Sequence, residues 1–131
     1  MRKPVWIEER DTLLLHQRSL IVHGGAPGLL DVGLLKSALA RPLQHSSYAR
    51  DVDIVTLAGV YTAGIVQNHP FVDGNKRIGF IVGVLFLELN GYRFAASEEE
   101  AAQVVLALAA GEIYEGSFIK FLRVNAVRAR K

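Results

Sequence analysis

Hydrophobic residues recur along most of the chain at helical spacing, in stretches separated by glycine, proline and short polar segments. Between Ile7 and Val22, the residues Leu13, Leu14, Leu20 and Ile21 share one face, and Gln17 is the single polar residue on it. Gly24 and Gly25 close this first helix, and His23 to Gly28 is a loop. Asp31 is placed to cap a helix through Leu34, Leu35, Ala38 and Leu39 that ends near Pro42. Residues 44–50 are polar and irregular, and Asp51 or Asp53 caps a third helix running through Leu57, Ala58, Tyr61 and Ile65 to about Asn68. Pro70 and Gly74 then make a short loop. A strongly apolar helix follows from about Asn75 to Asn90, with Gly91 just beyond its end, and it is expected to be the central helix wrapped by the others. Ser97 and Glu100 form a capping box for a helix through Val104, Val105 and Leu108. Ser117 opens a last helix through Phe118, Phe121, Leu122 and Val124. Tyr92-Arg93-Phe94 is too short to count as a strand. The pattern predicts an all-α fold, a compact bundle of about six helices around a central apolar helix, in a single domain over 1–131.

Composition narrows the picture. At 131 residues and 50% hydrophobic, the chain has enough apolar surface to build one core without covalent staples. Fifteen basic and 13 acidic residues leave a net charge of +2, which gives no argument for direct nucleic-acid binding or an acidic membrane surface. No cysteine is present, so disulfides and thiolate metal sites are excluded, as suits a reducing compartment. The longest apolar run, Ile78 to Leu87, is stopped by Glu88 at about half the ~20 residues a bilayer requires. No unbroken apolar stretch follows the charged start MRKPVWIEERD, so no signal peptide is expected and the protein is expected to be soluble and cytoplasmic. The basic residues Arg123, Arg128, Arg130 and Lys131 are read as complements to a helix C-terminus.

Chemistry concentrates in His69-Pro70-Phe71-Val72-Asp73-Gly74-Asn75-Lys76-Arg77. His69 is an imidazole, suited to taking a proton near neutral pH. Asp73 supplies one carboxylate, a poor metal site alone but a good Mg²⁺ ligand once phosphate oxygens and water complete the shell. Gly74 permits close approach of a ligand, and the helix that starts after it has a positive, unpaired N-terminus. Asn75, Lys76 and Arg77 add an amide and two cations there. A base, a metal ligand, an anion nest and cations together are what phosphoryl transfer requires. Each piece also has a plainer reading: a loop histidine, an Asp-Gly-Asn turn with Asp73 as helix cap, and two solvated cations. Cations in a first helical turn oppose the dipole, which favours an anion seated between them. His16, His23 and His45 match no metal spacing and are read as surface or loop residues. The glycines from Gly24 to Gly28 lack the following Lys-Ser or Lys-Thr of a P-loop.

The segment HPFVDGNKR resembles the core motif of the Fic/Doc (Fido) family, and specifically its Doc, or death-on-curing, branch; GAPGLLDVGLLKSALARP, from Gly25 to Pro42, resembles the Doc-type N-terminal region. The resemblance covers nearly the whole chain. AMP-transferring Fic proteins carry Gly and Arg where this chain has Lys76 and Phe80, and in the Doc branch that change accompanies presentation of the γ-phosphate rather than the α-phosphate. The resemblance therefore implies a toxin of a toxin–antitoxin pair that moves the γ-phosphate of ATP, with Mg²⁺, to a Ser or Thr hydroxyl of a translation factor of the elongation factor Tu type. Translation would stop. It assigns His69 as general base, Asp73 as metal ligand and orienter of the hydroxyl, Gly74, Asn75, Lys76 and Arg77 to the phosphates, and Phe71 as a buried anchor. Pro70 and Gly74 are more Fic-like, so AMP transfer is the alternative; a non-catalytic nucleotide- or partner-binding module is the other. The inhibitory [ST]-x-x-x-E-[GN] motif of Fic proteins has Gly111 in its first position here, so restraint is expected from a separate antitoxin with a flexible C-terminal segment.

Overall fold

In the computed structural model, which describes residues 3–49 and 51–129, the chain is mainly helical, as the pattern predicts. Six helices are formed among the described residues: α1 (Glu9–His23), α2 (Val32–Tyr48), α3 (Ile54–Asn68), α4 (Asn75–Leu89), α5 (Glu98–Ala109) and α6 (Glu115–Asn125). Side-chain caps set three of their starts. Asp31 accepts from the Leu34 N–H, Asp53 from the Thr56 N–H and Ser97 from the Glu100 N–H.

Packing corrects the expected centre. α4 is largely buried, but α3 is more so: Val55 and every residue from Leu57 to Val66 are buried, and α2, α4, α5 and α6 all pack on it. A helix that is apolar on every side is one that other helices can surround. Close approach needs small residues. A Cβ on Gly83 of α4 would collide with the Thr62 hydroxyl of α3, which donates to the Gly79 carbonyl at 2.8 Å. Tyr61 is fully buried, and its hydroxyl accepts from the Ile7 N–H at 3.0 Å and donates to the Ile7 carbonyl at 3.2 Å. Burial pushes its phenol up to about 12.

Four further expectations are corrected. α2 continues through Pro42 to Tyr48 rather than stopping near Pro42. The carbonyl a proline leaves without its usual donor is that of Ala38, and it faces Gly64 of α3, where a Cβ would stand only 3.3 Å from it. Tyr92–Phe94 does form a strand, β1, which pairs antiparallel with β2 (Ala126–Arg128) just after α6. A three-residue strand shows no periodicity, and its partner lies far along the chain. α6 starts at Glu115, so Ser117 lies inside its first turn. The basic residues complement a helix end only in part: Arg123 lies in the last turn of α6, where it also pairs with the α3 cap Asp53, whereas Arg128 lies in β2 over the Tyr92 ring, and Arg130 and Lys131 fall outside the described residues.

α1 runs antiparallel along α4. Just before α1, Val5 pairs with the Asn90 side chain and Trp6 stacks on Phe86 with centroids 5.7 Å apart, at the C-terminal half of α4. Farther along, His16 and Leu20 stand beside Gly74 at the N-terminus of α4. Among the described residues no helix is long and apolar enough to cross a membrane.

Candidate functional site

The site is the loop joining α3 to α4. α3 ends on His69, the one non-glycine residue with positive φ among those described (φ 51), and its N–H still bonds the Ile65 carbonyl at 3.0 Å. A left-handed residue turns the chain sharply out of the helix, and the His69 ring is left exposed at the exit. Such a conformation is held in place by its surroundings.

Those surroundings are dense. The loop after α1 runs beside the motif: Leu29 and Phe71 form an antiparallel bridge, Leu30 and Asp31 both donate to the Pro70 carbonyl, and Val72 donates to the Gly28 carbonyl at 3.0 Å. Phe71 is buried beneath it. The Asn75 amide, 4% exposed, holds both polar groups of the Phe71 backbone, accepting from its N–H and donating to its carbonyl at 2.9 Å each. Both ends of that buried amide are held by the Phe71 backbone, which leaves the backbone N–H of Asn75 as the group it turns to a ligand. With those of Lys76 and Arg77, it lies in the first turn of α4 and has no acceptor within the helix.

Asp73 is exposed and held from two sides. Its Oδ2 accepts from the Ala26 N–H at 3.2 Å and its Oδ1 from the Gly74 N–H at 2.8 Å. These backbone bonds, Ala26 first, lower its pKa, with smaller help from Arg77 and Lys76. The carboxylate is therefore ionised across the neutral range. Gly25 makes the approach possible, since a Cβ there would lie 3.1 Å from Asp73 Oδ2. Lys76 and Arg77 are exposed beside the carboxylate, at a helix start that carries positive charge already. His69, Asp73 and the α4 N-terminus thus share one short, exposed loop that can hold an anion beside a carboxylate and an imidazole.

The model of the Fic/DOC family matches residues 6–87, more than half of the chain and the whole of this loop. The chain belongs to the Fic/DOC family. Among its relatives are a protein kinase doc of Escherichia phage P1 and a toxin Doc of Mycolicibacterium smegmatis. The first is 29% identical over 117 residues, covering 89% of this chain and 92% of that protein. The second is 37% identical over 78 residues, covering 58% and 59%. Both of these relatives are named as Doc proteins.

Two residues of this Fic/DOC site need separate comment. Phe80 does not face the phosphate nest; it packs edge-on against Phe94 at 5.5 Å, within an aromatic cluster that continues to Phe121. His16 is not a surface residue. It is 5% exposed, stacks on Phe71 with centroids 3.7 Å apart, and its Nε2 lies 2.8 Å from the Asp73 carbonyl. His23 is exposed at the end of α1, and His45 lies in the last turn of α2 rather than in a loop.

Sequence reasoning missed His16 and the Ala26 N–H. The signal for His16 was present: Thr12, His16 and Ser19, at i, i+4 and i+7, are the residues α1 buries. Of the three, His16 reaches the α3–α4 loop, while the Thr12 hydroxyl donates to the Glu8 carbonyl at the start of its own helix. Leu13 and Leu14 line an open groove of about 300 Å³ with His16, Gln17, Gly28, Leu29 and Phe71; Leu13 packs on the core as well, whereas Leu14 is exposed and Ile21 is 83% exposed.

Proposed function

We propose that the chain is a Doc-type toxin that transfers the γ-phosphate of ATP to a Ser or Thr hydroxyl of a translation factor of the elongation factor Tu type, in the cytoplasm, and so blocks translation. One arrangement carries this reading: an ionised carboxylate, an exposed imidazole and an unpaired helix N-terminus flanked by Lys76 and Arg77 meet on a single loop. The names of the two relatives, a protein kinase and a toxin, support it.

His69 accepts the proton of the target hydroxyl. The hydroxyl oxygen attacks the γ-phosphorus, the bond from that phosphorus to the β–γ bridging oxygen breaks, and ADP leaves. The backbone N–H groups of Asn75, Lys76 and Arg77, with Gly74 allowing close approach, bind the phosphates; the two cationic side chains balance their charge. The residues present suit magnesium brought in by the nucleotide. Asp73 is a lone carboxylate, and no group of three or more potential ligands is gathered among the described residues. A metal there must share its shell with phosphate and water. When bound, Mg²⁺ neutralises charge on the transferring phosphoryl group.

Phe80 favours γ-phosphate over AMP transfer, since its packing against Phe94 leaves no charge at the position of the AMP-transferring enzymes' second arginine. Restraint comes from a cognate antitoxin. The open groove lined by Leu13, Leu14 and Leu29 supports this, because an apolar surface beside the site is what a flexible partner segment can cover.

The test incubates the chain and its His69→Ala variant with elongation factor Tu, Mg²⁺ and ATP labelled at either the α- or the γ-phosphate. γ-Label on the factor, lost in the variant, is the expected result. α-Label would make the protein an AMP transferase. No label from either, with nucleotide still bound, would leave the binding-module reading.

A further inference from the structure

The loop that carries the chemistry is not positioned by its own residues alone. The imidazole of His16, on α1, reaches across and touches it twice, through the ring face and through Nε2. The group opposite Nε2 is a carbonyl oxygen, which only accepts, so Nε2 carries a hydrogen. That N–H donates to the peptide joining Asp73 to Gly74. The N–H of the same peptide donates to Asp73 Oδ1, so the plane is gripped on both edges. Gly74 has φ 79, and a Cβ on it would stand 3.6 Å from His16 Nε2, so α1 lies close against this turn. A peptide plane fixed on both edges sets two directions at once: that of the Asp73 carboxylate and that of the first free N–H groups of α4.

We propose that His16, outside the motif and untouched by substrate, is the positioning residue of this loop. Its Nε2–H locks the Asp73–Gly74 peptide so that the carboxylate and the helix N-terminus point to one place. This rests on the phosphate-transfer reading above only for its kinetic consequence. Donor and stack are separable. His16→Phe keeps a flat ring on Phe71 and loses the donor; His16→Gln loses the ring but keeps an N–H near the position of Nε2.

The donor role makes His16→Phe slow γ-phosphate transfer by about 10- to 100-fold, the scale typical of residues that orient a ligating group. KM for ATP changes less than kcat, and His16→Gln recovers most of the rate. A purely packing role reverses the order, with Phe active and Gln impaired, and overturns the proposal. So does a loss in both variants that only follows the melted fraction in a thermal scan. A readout independent of transfer uses ¹⁵N-labelled wild-type chain at about pH 8, above the ordinary imidazole range. His16 should be the single Nε2–H tautomer, and the Gly74 amide signal should shift in His16→Phe and return in His16→Gln. An Nδ1–H tautomer, or a Gly74 amide indifferent to both substitutions, overturns it. If the wild-type chain transfers no phosphate, the proposed function fails while these spectra still decide the role of His16.

Discussion

At the scale of the residue, His69 combines two properties that oppose each other. Its exposed imidazole suits proton transfer, while its left-handed backbone costs a non-glycine residue about 1–2 kcal/mol. Replacing it separates the two. His69→Ala should lower transfer by about 10²–10⁴-fold, the usual contribution of a general base, with the thermal midpoint little changed. His69→Gly should abolish transfer equally but raise stability by on the order of 1 kcal/mol, because glycine adopts this conformation without a steric penalty. Thermal melts of the two variants beside the wild type check the pair. Asn75 behaves in the opposite way. Its amide holds the backbone of a buried Phe71, so Asn75→Ala should cost about 2 kcal/mol or more through the N–H and carbonyl left unpaired, visible as an earlier urea midpoint.

At the scale of the element, helix starts carry charge-dependent stability. Asp53 caps α3 and pairs with Arg123 of α6. Burial raises its pKa, but the hydrogen bonds from Arg123 and Thr56 outweigh burial and lower it to about 2. A depressed carboxyl stabilises the fold above its unfolded value of about 3.9, and that contribution fades as pH falls from there towards 2. Asp53→Asn should therefore flatten the acid limb of a stability–pH curve between about pH 4 and 2, while the wild type declines through it. The capping aspartates were legible because a cap is a local rule, read from one residue and the helix that follows. Helix spans were legible for the same reason. The face of α1 was not: Leu14 and Ile21 look like core residues, yet only the tertiary arrangement, α1 laid along α4 with His16 against the α3–α4 loop, assigns Thr12, His16 and Ser19 to the inside. The passage of α2 through Pro42 was not legible because the surroundings of the Ala38 carbonyl, close against Gly64, are set by another helix.

For the molecule as a whole, the apolar content identified a helical core but not which helix occupies its centre. α3 and α4 are both rich in apolar residues. The choice falls to the small residues that let α2, α4 and α6 come close to α3, and Gly83→Ala should show this. The added methyl meets the Thr62 hydroxyl and breaks its bond to Gly79, costing about 1–3 kcal/mol in chemical denaturation. The motif itself was legible because its nine residues are contiguous; the groups that hold it, His16 and Ala26, lie some 50 residues earlier and left only the weak polar stripe on α1.

The chain contains a single tryptophan. Trp6 stacks on Phe86, eleven residues along α4 from Asn75 and so about 16 Å from the phosphate nest. The protein thus has a built-in optical reporter at one end of the helix whose other end does the chemistry. A nucleotide at Asn75 is too far away to quench that indole by contact. Any change in its emission on adding nucleotide reads directly as movement of α1 and its leading segment against α4.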